Sequence, residues 1–508
     1  MVPAILRRTL FAVLCLTIVG CVPAPQEPGP VSSGTLFTAA LANLQDRYVD
    51  PFDPKSKMIA GLRALENVDS SVEFRLSRQY LEISQKGAPP VKIPRPMGNG
   101  AANWADAGAR LLNSARAEMP AFVGMPTWKL NQIVLDGITA NLDRYSRYLP
   151  PHQARKSREK REGFGGIGIH IEKSGSRTVI GKVLPELPGE AADLRVGDEI
   201  THIDGDAIEG WSIYDVALKL RGPVDKPIDL VLRRPAVPRA LKKTMRRKPV
   251  IPRSVSDILK DGILKLEINI FNEGTVRSIE RIIQAPRDTR TQQIRGVILD
   301  LRNNPGGLLQ EAIDTADLFL NKARIISTRG RHTESMQQFD AEPGEILPET
   351  PMAVLINGRT ASSAEIVALA LRDKGRAVII GSTSYGKGTV QTIIGMPDLG
   401  DLNITWARIH APSDQVLDGQ GIVPALCNSD VRWTEEREIP SKIFNGLAKY
   451  RGSPHFSAAG KTACPPNKER PVADVAIARF TLSNRMLYRA ATASGSKQVS
   501  RHNTNDPG

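Results

Sequence analysis

Three short blocks of this 508-residue chain hold residue types and spacings that can do covalent chemistry. The first is Tyr385-Gly386-Lys387-Gly388-Thr389-Val390-Gln391, a lysine held between two glycines soon after the apolar run at 377–381. Lysines usually sit on solvated faces and glycines cost backbone entropy, so either the backbone passes close to a neighbour here or this is only a turn. A desolvated lysine loses its charge readily, and its neutral amine can take the proton of a serine hydroxyl. The second block, Arg359-Thr360-Ala361-Ser362-Ser363-Ala364-Glu365, supplies two serines where an apolar helix should begin. Ser362 and Glu365 fit a capping box, which on spacing alone is the simpler reading. A helix N-terminus also offers N–H groups and positive potential to an oxyanion, so cap and nucleophile are compatible. In the third block, 297–309, an apolar strand runs into Asn303-Asn304-Pro305-Gly306-Gly307. This is either a plain turn or a backbone shaped to aim an amide N–H at a substrate carbonyl.

Two other chemistries fit less well. Gly381 to Lys387 matches GxxxxGK after a strand, but Gly388 stands where a phosphate-binding loop needs Ser or Thr. The β-branched 389–396 that follows reads as a strand instead of the required helix. None of the seven histidines lies in the three blocks; the nearest, His410, reads as a strand residue. No CxxC or His/Cys cluster suggests a metal, and no cofactor is expected.

Several elements must position these blocks. From about 255 strands and helices alternate, which argues for layered α/β. From 163 to 235 short alternating strands with glycine turns and one helix, 213–222, form a small barrel-like module. Up to about 150 the apolar spacing is helical, with the Pro/Gly-rich stretch 86–103 as a loop between helices. The polar end from about Thr492 is expected to be disordered.

The formal charge of +14 favours anionic partners, yet the densest basic stretch, 233–253, lacks interleaved aromatics. It reads as a solvated strand and linker, and no nucleic-acid partner is expected. Arg7 and Arg8 precede an apolar run of about 12 residues, too short to span a bilayer and suited to a secretory leader. The run ends Ile18-Val19-Gly20-Cys21, which resembles a bacterial lipobox. That resemblance implies a leader over 1–20, lipidation of Cys21, a tether over 21–34 and residence at the periplasmic face of a bacterial membrane. In that oxidising compartment Cys427 and Cys464 form a candidate disulfide pair.

Phe164-Gly165-Gly166-Ile167-Gly168-Ile169, with Gly197-Asp198 and Gly205 downstream, resembles the carboxylate-binding loop and central segment of PDZ domains. There, converging N–H groups hold a peptide's terminal carboxylate and the peptide adds as a strand. The blocks at 142–149, 261–275, 300–307, 356–381, 385–391 and 419–424, in this order and spacing, resemble the C-terminal processing peptidases, or tail-specific proteases. The resemblance covers about 35–425. It implies a multidomain α/β protein with a helical N-terminal region (35–160), a PDZ module (163–235), a layered ClpP/crotonase-like core (236–428) and a C-terminal extension (429–508). It also implies Ser362 as nucleophile, Lys387 as general base, Gln391 as the group orienting that lysine, and the N–H groups of Gly307 and Ser363 as oxyanion donors. Asp373, about 16 Å along the helix from Ser362, is expected to be structural support. Thr360, Ser363, Ala364 and Arg144 depart from the family pattern. The expected partners are proteins with free C-terminal tails, captured at 164–168, and the helical region could pair two copies. A non-catalytic peptide-binding scaffold is the alternative.

Overall fold

The computed structural model describes residues 32–496, apart from 236, 286–291, 397–398, 415 and 429–463. The leader, Cys21 and most of the tether lie outside the described residues.

The N-terminal unit is built from capped amphipathic helices. The Ser32 hydroxyl accepts the Thr35 N–H at the head of α1 (Ser33–Arg47), and Asp53 accepts that of Ser56 at the head of α2 (Pro54–Arg63). Between α2 and the next helix comes a correction to the loop expected over 86–103 in this mainly helical region. A three-stranded antiparallel sheet is inserted there: β1 (Val72–Leu76), β2 (Tyr80–Gln85) and β3 (Val91–Pro94). The alternation of buried Phe74, Leu81 and Ile83 with polar residues gives these strands one dry face, a period-2 signal overlooked beside the prolines. Helices α3 (Ala101–Glu118) and α4 (Thr127–Ala140) complete the layer. Gly61 and Gly137 let α2 and α4 approach closely, since a Cβ on Gly61 would lie 2.6 Å from the Val134 carbonyl oxygen. Strand β4 (Arg147–Leu149) and helix α5 (Pro151–Glu162) lead out of this unit.

The second unit opens with β5 (Phe164–Gly166) and continues through β6 (Ile169–Ser174), β7 (Arg177–Val183), the short helix α6 (Pro188–Ala191), β8 (Glu199–Ile203), β9 (Asp206–Ala207), α7 (Ile213–Leu220) and β10 (Pro227–Arg233). Its sheet also takes in β11 (Leu241–Arg246), and β12 (Lys248–Val250) pairs with β5. The boundary expected at 235 therefore falls inside a hairpin: β10 and β11 share six paired positions, and Met245 joins the core of the unit. Strand order is β11-β10-β8-β7-β6, which leaves β6 as an edge beside α7.

The third unit holds β13 (Val255–Lys260), β14 (Ile263–Ile268), α8 (Thr275–Gln284), β15 (Gly296–Asp300), α9 (Leu309–Asp317), β16 (Arg324–Arg329), β17 (Gln337–Asp340), β18 (Met352–Ile356), α10 (Ser363–Asp373), β19 (Val378–Gly381), β20 (Thr389–Met396), β21 (Gly400–His410) and β22 (Leu426–Cys427). Its central sheet runs β13-β14-β15-β18-β19-β22, parallel from β14 onward. Parallel strands buried on both faces read as continuous apolar runs. Accordingly Val297, Leu299, Val354 and Ile379 face the layer of α8, α9 and α10, while Ile298, Ala353, Leu355, Val378 and Ile380 face the other side.

That other side is covered by the C-terminal extension, which the sequence reading placed outside the core. Helices α11 (Ala473–Ser483) and α12 (Arg485–Ser496) bury Ile477, Ala478, Leu482, Leu487 and Ala491 against it. Thr492 is thus helical, not the start of a disordered end; residues from 497 lie outside the described ones. Arg302 bridges Asp300 and Asp474 of α11 at 2.7 and 3.0 Å, and Cys427 is joined to Cys464 with Cα atoms 5.9 Å apart. A second sheet, β17-β16-β21-β20 with β4 on β21, carries Met396, Leu402 and Ile404 into the core of the N-terminal unit.

Candidate active site

The three blocks meet at a cleft of about 320 Å³ lined by Ser362, Ser363, Lys387, Gln391, Gly306 and Gly307 among others. Each arrives from a different turn after a strand.

Ser362 follows β18 at the mouth of α10, a helix whose residues are all buried. Its backbone sits at φ +56°, ψ −122°, a region costly to a residue with a Cβ, on the order of 1–3 kcal/mol. Neighbouring bonds hold it there. Ala361 N–H donates to Asn304 O at 3.0 Å, and Ser362 N–H donates to Glu365 Oε2 at 2.8 Å. The Glu365 N–H goes to the Ser362 carbonyl oxygen at 2.7 Å. The carboxylate half of the capping box is therefore formed.

The glycines around Lys387 are explained by a close approach. A Cβ on Gly388 would lie 2.0 Å from the Asp418 nitrogen, and one on Gly386 2.7 Å from that of Gly421. Gly419 N–H donates to Gly386 O at 2.9 Å, so the 417–421 loop locks both sides of the lysine. Burial, and then the charge of Arg147, bring the Lys387 amine from 10.5 down to about 8, opposed by the more weakly felt Glu365 and Asp143. Its Nζ lies 5.0 Å from the centre of the Tyr145 ring.

Glu365 has a reach no local pattern discloses. Besides Ser362 N–H, its buried carboxylate accepts Gly386 N–H at 2.7 Å, Lys387 N–H at 2.8 Å and the Ser384 hydroxyl. One side chain thus ties the backbone of the serine to that of the lysine. Burial raises its pKa, and these donors oppose the rise.

Gly307, at φ +147°, passes so near Phe271 that a Cβ would lie 2.0 Å from the Phe271 carbonyl oxygen. Phe271 N–H donates to Gly306 O and Leu308 N–H to Phe271 O, leaving the Gly307 N–H between them without an acceptor among the described residues. The Ser363 N–H at the first turn of α10 likewise has none. The Ser363 hydroxyl donates to the Gly307 carbonyl at 3.0 Å and so pins the two donors together. Ser363, which departs from the family pattern, therefore adds a strut.

Gln391 lines the same cleft, but the orienting bond expected from it to Lys387 is absent. Its amide donates to Thr389 at 2.9 Å and Thr405 at 3.3 Å. Lys387 lies ahead of β20, whose pairing with β21 shifts between Val390 and Gln391. Asp373 is away from the cleft, paired with Arg372 at 2.7 Å and accepting the Ser413 hydroxyl at 3.2 Å. His410 is at the end of β21; burial lowers its pKa.

The 142–149 block carried no assigned role in the sequence, and the structure gives it one. Asp143 accepts the N–H groups of Tyr145 and Ser146 at 2.7 and 2.8 Å and the Thr405 hydroxyl at 3.0 Å. This Asx-type turn clips the block onto β21 and brings Tyr145 and Arg147 to the cleft. The Asp-x-Tyr-Ser spacing was its only local signal. Arg144, which departs from the family pattern, stacks on Tyr145 with its guanidinium 4.9 Å from the ring centre.

In the second unit, the 164–168 loop leads into edge strand β6. The N–H groups of Ile167 and Gly168 have no acceptor among the described residues. Tyr214 and Leu218, one turn apart on α7, are exposed beside this edge.

The family model described as Peptidase family S41 matches residues 262–426, and that of the PDZ domain matches 153–233. The carboxy-terminal-processing protease of Bartonella bacilliformis is 37% identical over 300 residues, covering 59% of this chain and 69% of that protein. A probable CtpA-like serine protease of Staphylococcus haemolyticus is 31% identical over 301 residues, covering 58% of this chain and 59% of that protein. Among solved structures, the photosystem II D1 C-terminal processing protease aligns at 22% identity and TM-score 0.39, over 84% of this chain and 100% of that one.

Proposed function

Because the chain belongs to peptidase family S41, the carboxy-terminal-processing serine proteases, we propose that it is an endopeptidase working through a Ser362/Lys387 dyad on the C-terminal tails of exported proteins. The observation that carries this reading is the convergence, on one cleft, of Ser362, an amine lowered to about 8, and two N–H groups without acceptors among the described residues.

Neutral Lys387 takes the Ser362 hydroxyl proton as the oxygen attacks the scissile carbonyl carbon. The developing oxyanion is received by the N–H groups of Gly307 and Ser363, fixed before reaction and needing no reorganisation. Collapse breaks the C–N bond, the Lys387 ammonium returns its proton to the leaving amine, and an ester to Ser362 remains. Water, deprotonated by the same lysine, then hydrolyses the ester. The tail is held at the open edge of β6, its carboxylate at 164–168 and an apolar side chain against Tyr214 and Leu218. Lipidation at Cys21 would anchor the protein at the periplasmic face of the membrane.

Purified protein, Ser362→Ala and Lys387→Ala should be incubated with an unstructured tail-bearing substrate and the products weighed by mass spectrometry. Cleavage near the C-terminus by the unaltered protein alone is expected. Equal cleavage by all three removes the dyad; no cleavage by any, with peptide still bound, leaves a scaffold. Cys21→Ser should release the protein from the membrane fraction, and retention there refutes the anchor.

A further inference from the structure

The charge lining the cleft is one-sided. Arg147, Lys160, Arg161 and Lys387 border it, and no aspartate or glutamate does. Its remaining walls are largely apolar, with Leu308, Ile366 and Ile393 among them. Two cations of α5 are engaged: Arg158 pairs with Asp401 at 2.5 Å and Arg161 with Glu162 at 3.3 Å. Lys160 differs. It is exposed, borders the cleft, and has no carboxylate within ion-pair distance among the described residues. Arg147, on β4, shares this lack of a carboxylate and is near enough to Lys387 to disfavour its proton. Two cations without a carboxylate partner among the described residues, beside a largely apolar wall, leave positive potential focused where substrate must lie.

We propose that Lys160 and Arg147 form a carboxylate-binding subsite within the cleft, selecting tails in which an apolar residue is flanked by an anionic group near the scissile bond. This rests on the peptidase reading and specifies its substrate class. The anion is a carboxylate, supplied either by an internal Asp or Glu side chain or by the tail's own terminus. Binding it there holds the peptide across Ser362 after the β6 edge has captured the end of the chain. The subsite is part-exposed, so its selectivity is modest and screened by salt.

The test uses unstructured fluorogenic peptides of small and apolar residues. One set carries Glu or Gln at successive positions, all with free C-termini; a second carries a free acid or an amide at the C-terminus. Each is measured with the full chain and with Lys160→Gln, at low and high salt. At one position Glu should exceed Gln in kcat/KM by about threefold to tenfold. That preference should shrink with salt, vanish in Lys160→Gln and return in Lys160→Arg. Equal rates for Glu and Gln at every position, with no terminal preference dependent on Lys160, overturn the subsite while leaving the peptidase reading standing. A preference for the free acid that survives Lys160→Gln overturns it too and assigns carboxylate recognition to the β6 edge. A terminal preference lost in Lys160→Gln supports the subsite and identifies the terminus as its ligand. Cleavage that persists in Ser362→Ala instead sinks the underlying reading.

Discussion

Lys387 sets a trade between stability and activity that titration can read. Its amine falls from 10.5 to about 8 on folding. Above pH 10.5 the side chain is neutral in both states and folding carries no penalty from it. As pH falls from 10.5 to 8 the unfolded chain takes up the proton and the folded one does not, so stability declines. Below 8 both are charged, and the full cost of burying the ammonium, about 3 kcal/mol, is in place. Lys387→Met keeps the volume and removes the charge. It should therefore be more stable than the unaltered protein by up to about 3 kcal/mol at pH 7, the gap closing as pH approaches 10.5. Activity runs the other way, because only the neutral amine accepts the serine proton. With a midpoint of about 8, roughly a tenth of the lysines are competent at pH 7 and roughly nine tenths at pH 9. The logarithm of kcat/KM should climb with unit slope below pH 8 and flatten above it. Urea unfolding of both proteins at several pH values, with kcat/KM of the unaltered one, checks both halves. A flat rate profile between pH 7 and 9, or a Lys387→Met variant less stable at pH 7, refutes a desolvated lysine as the base.

Other outcomes follow from the same geometry. Gly307→Ala drives a methyl into the Phe271 carbonyl and displaces an oxyanion donor, so kcat should fall by about 100-fold or more; retention of full kcat excludes the Gly307 N–H from that role. Ser363→Ala removes the hydroxyl bond to Gly307 and should lower kcat by about threefold to tenfold with KM unchanged, read from steady-state kinetics. Glu365→Gln sets an NH₂ against donors from Ser362, Gly386 and Lys387 and should cost roughly 2 kcal/mol or more in unfolding experiments, with activity lost alongside. Reducing the Cys427–Cys464 bond, which closes a separation of 37 residues, should lower stability by about 3 kcal/mol, and an unchanged urea midpoint counts against it.

Much of the site was legible because its constraints are local. Gly386 and Gly388 marked a close approach or a turn, Ser362 and Glu365 a helix start, and the glycines at 306 and 307 a turn or a backbone aimed at a carbonyl. What escaped depends on chain segments far apart in sequence. Glu365 fits a local cap, yet its remaining partners lie 19 to 22 positions on and meet it only when β19 lies beside β18. The strand β3 was masked by prolines, and α11 and α12 lay outside the resemblance.

Residue types and spacing alone pointed to the three blocks and to the strand–turn–helix rhythm that presents them. They did so because capping, glycine-only backbone and apolar periodicity are properties of neighbouring residues. Tertiary packing decided the rest. It chose which face of the parallel sheet the C-terminal helices cover, turned Gln391 toward two threonines, placed Tyr145 and Arg147 beside the lysine, and left Lys160 without an acid. Each of these depends on desolvation and on contacts between separate elements, and neither exists until the chain has folded.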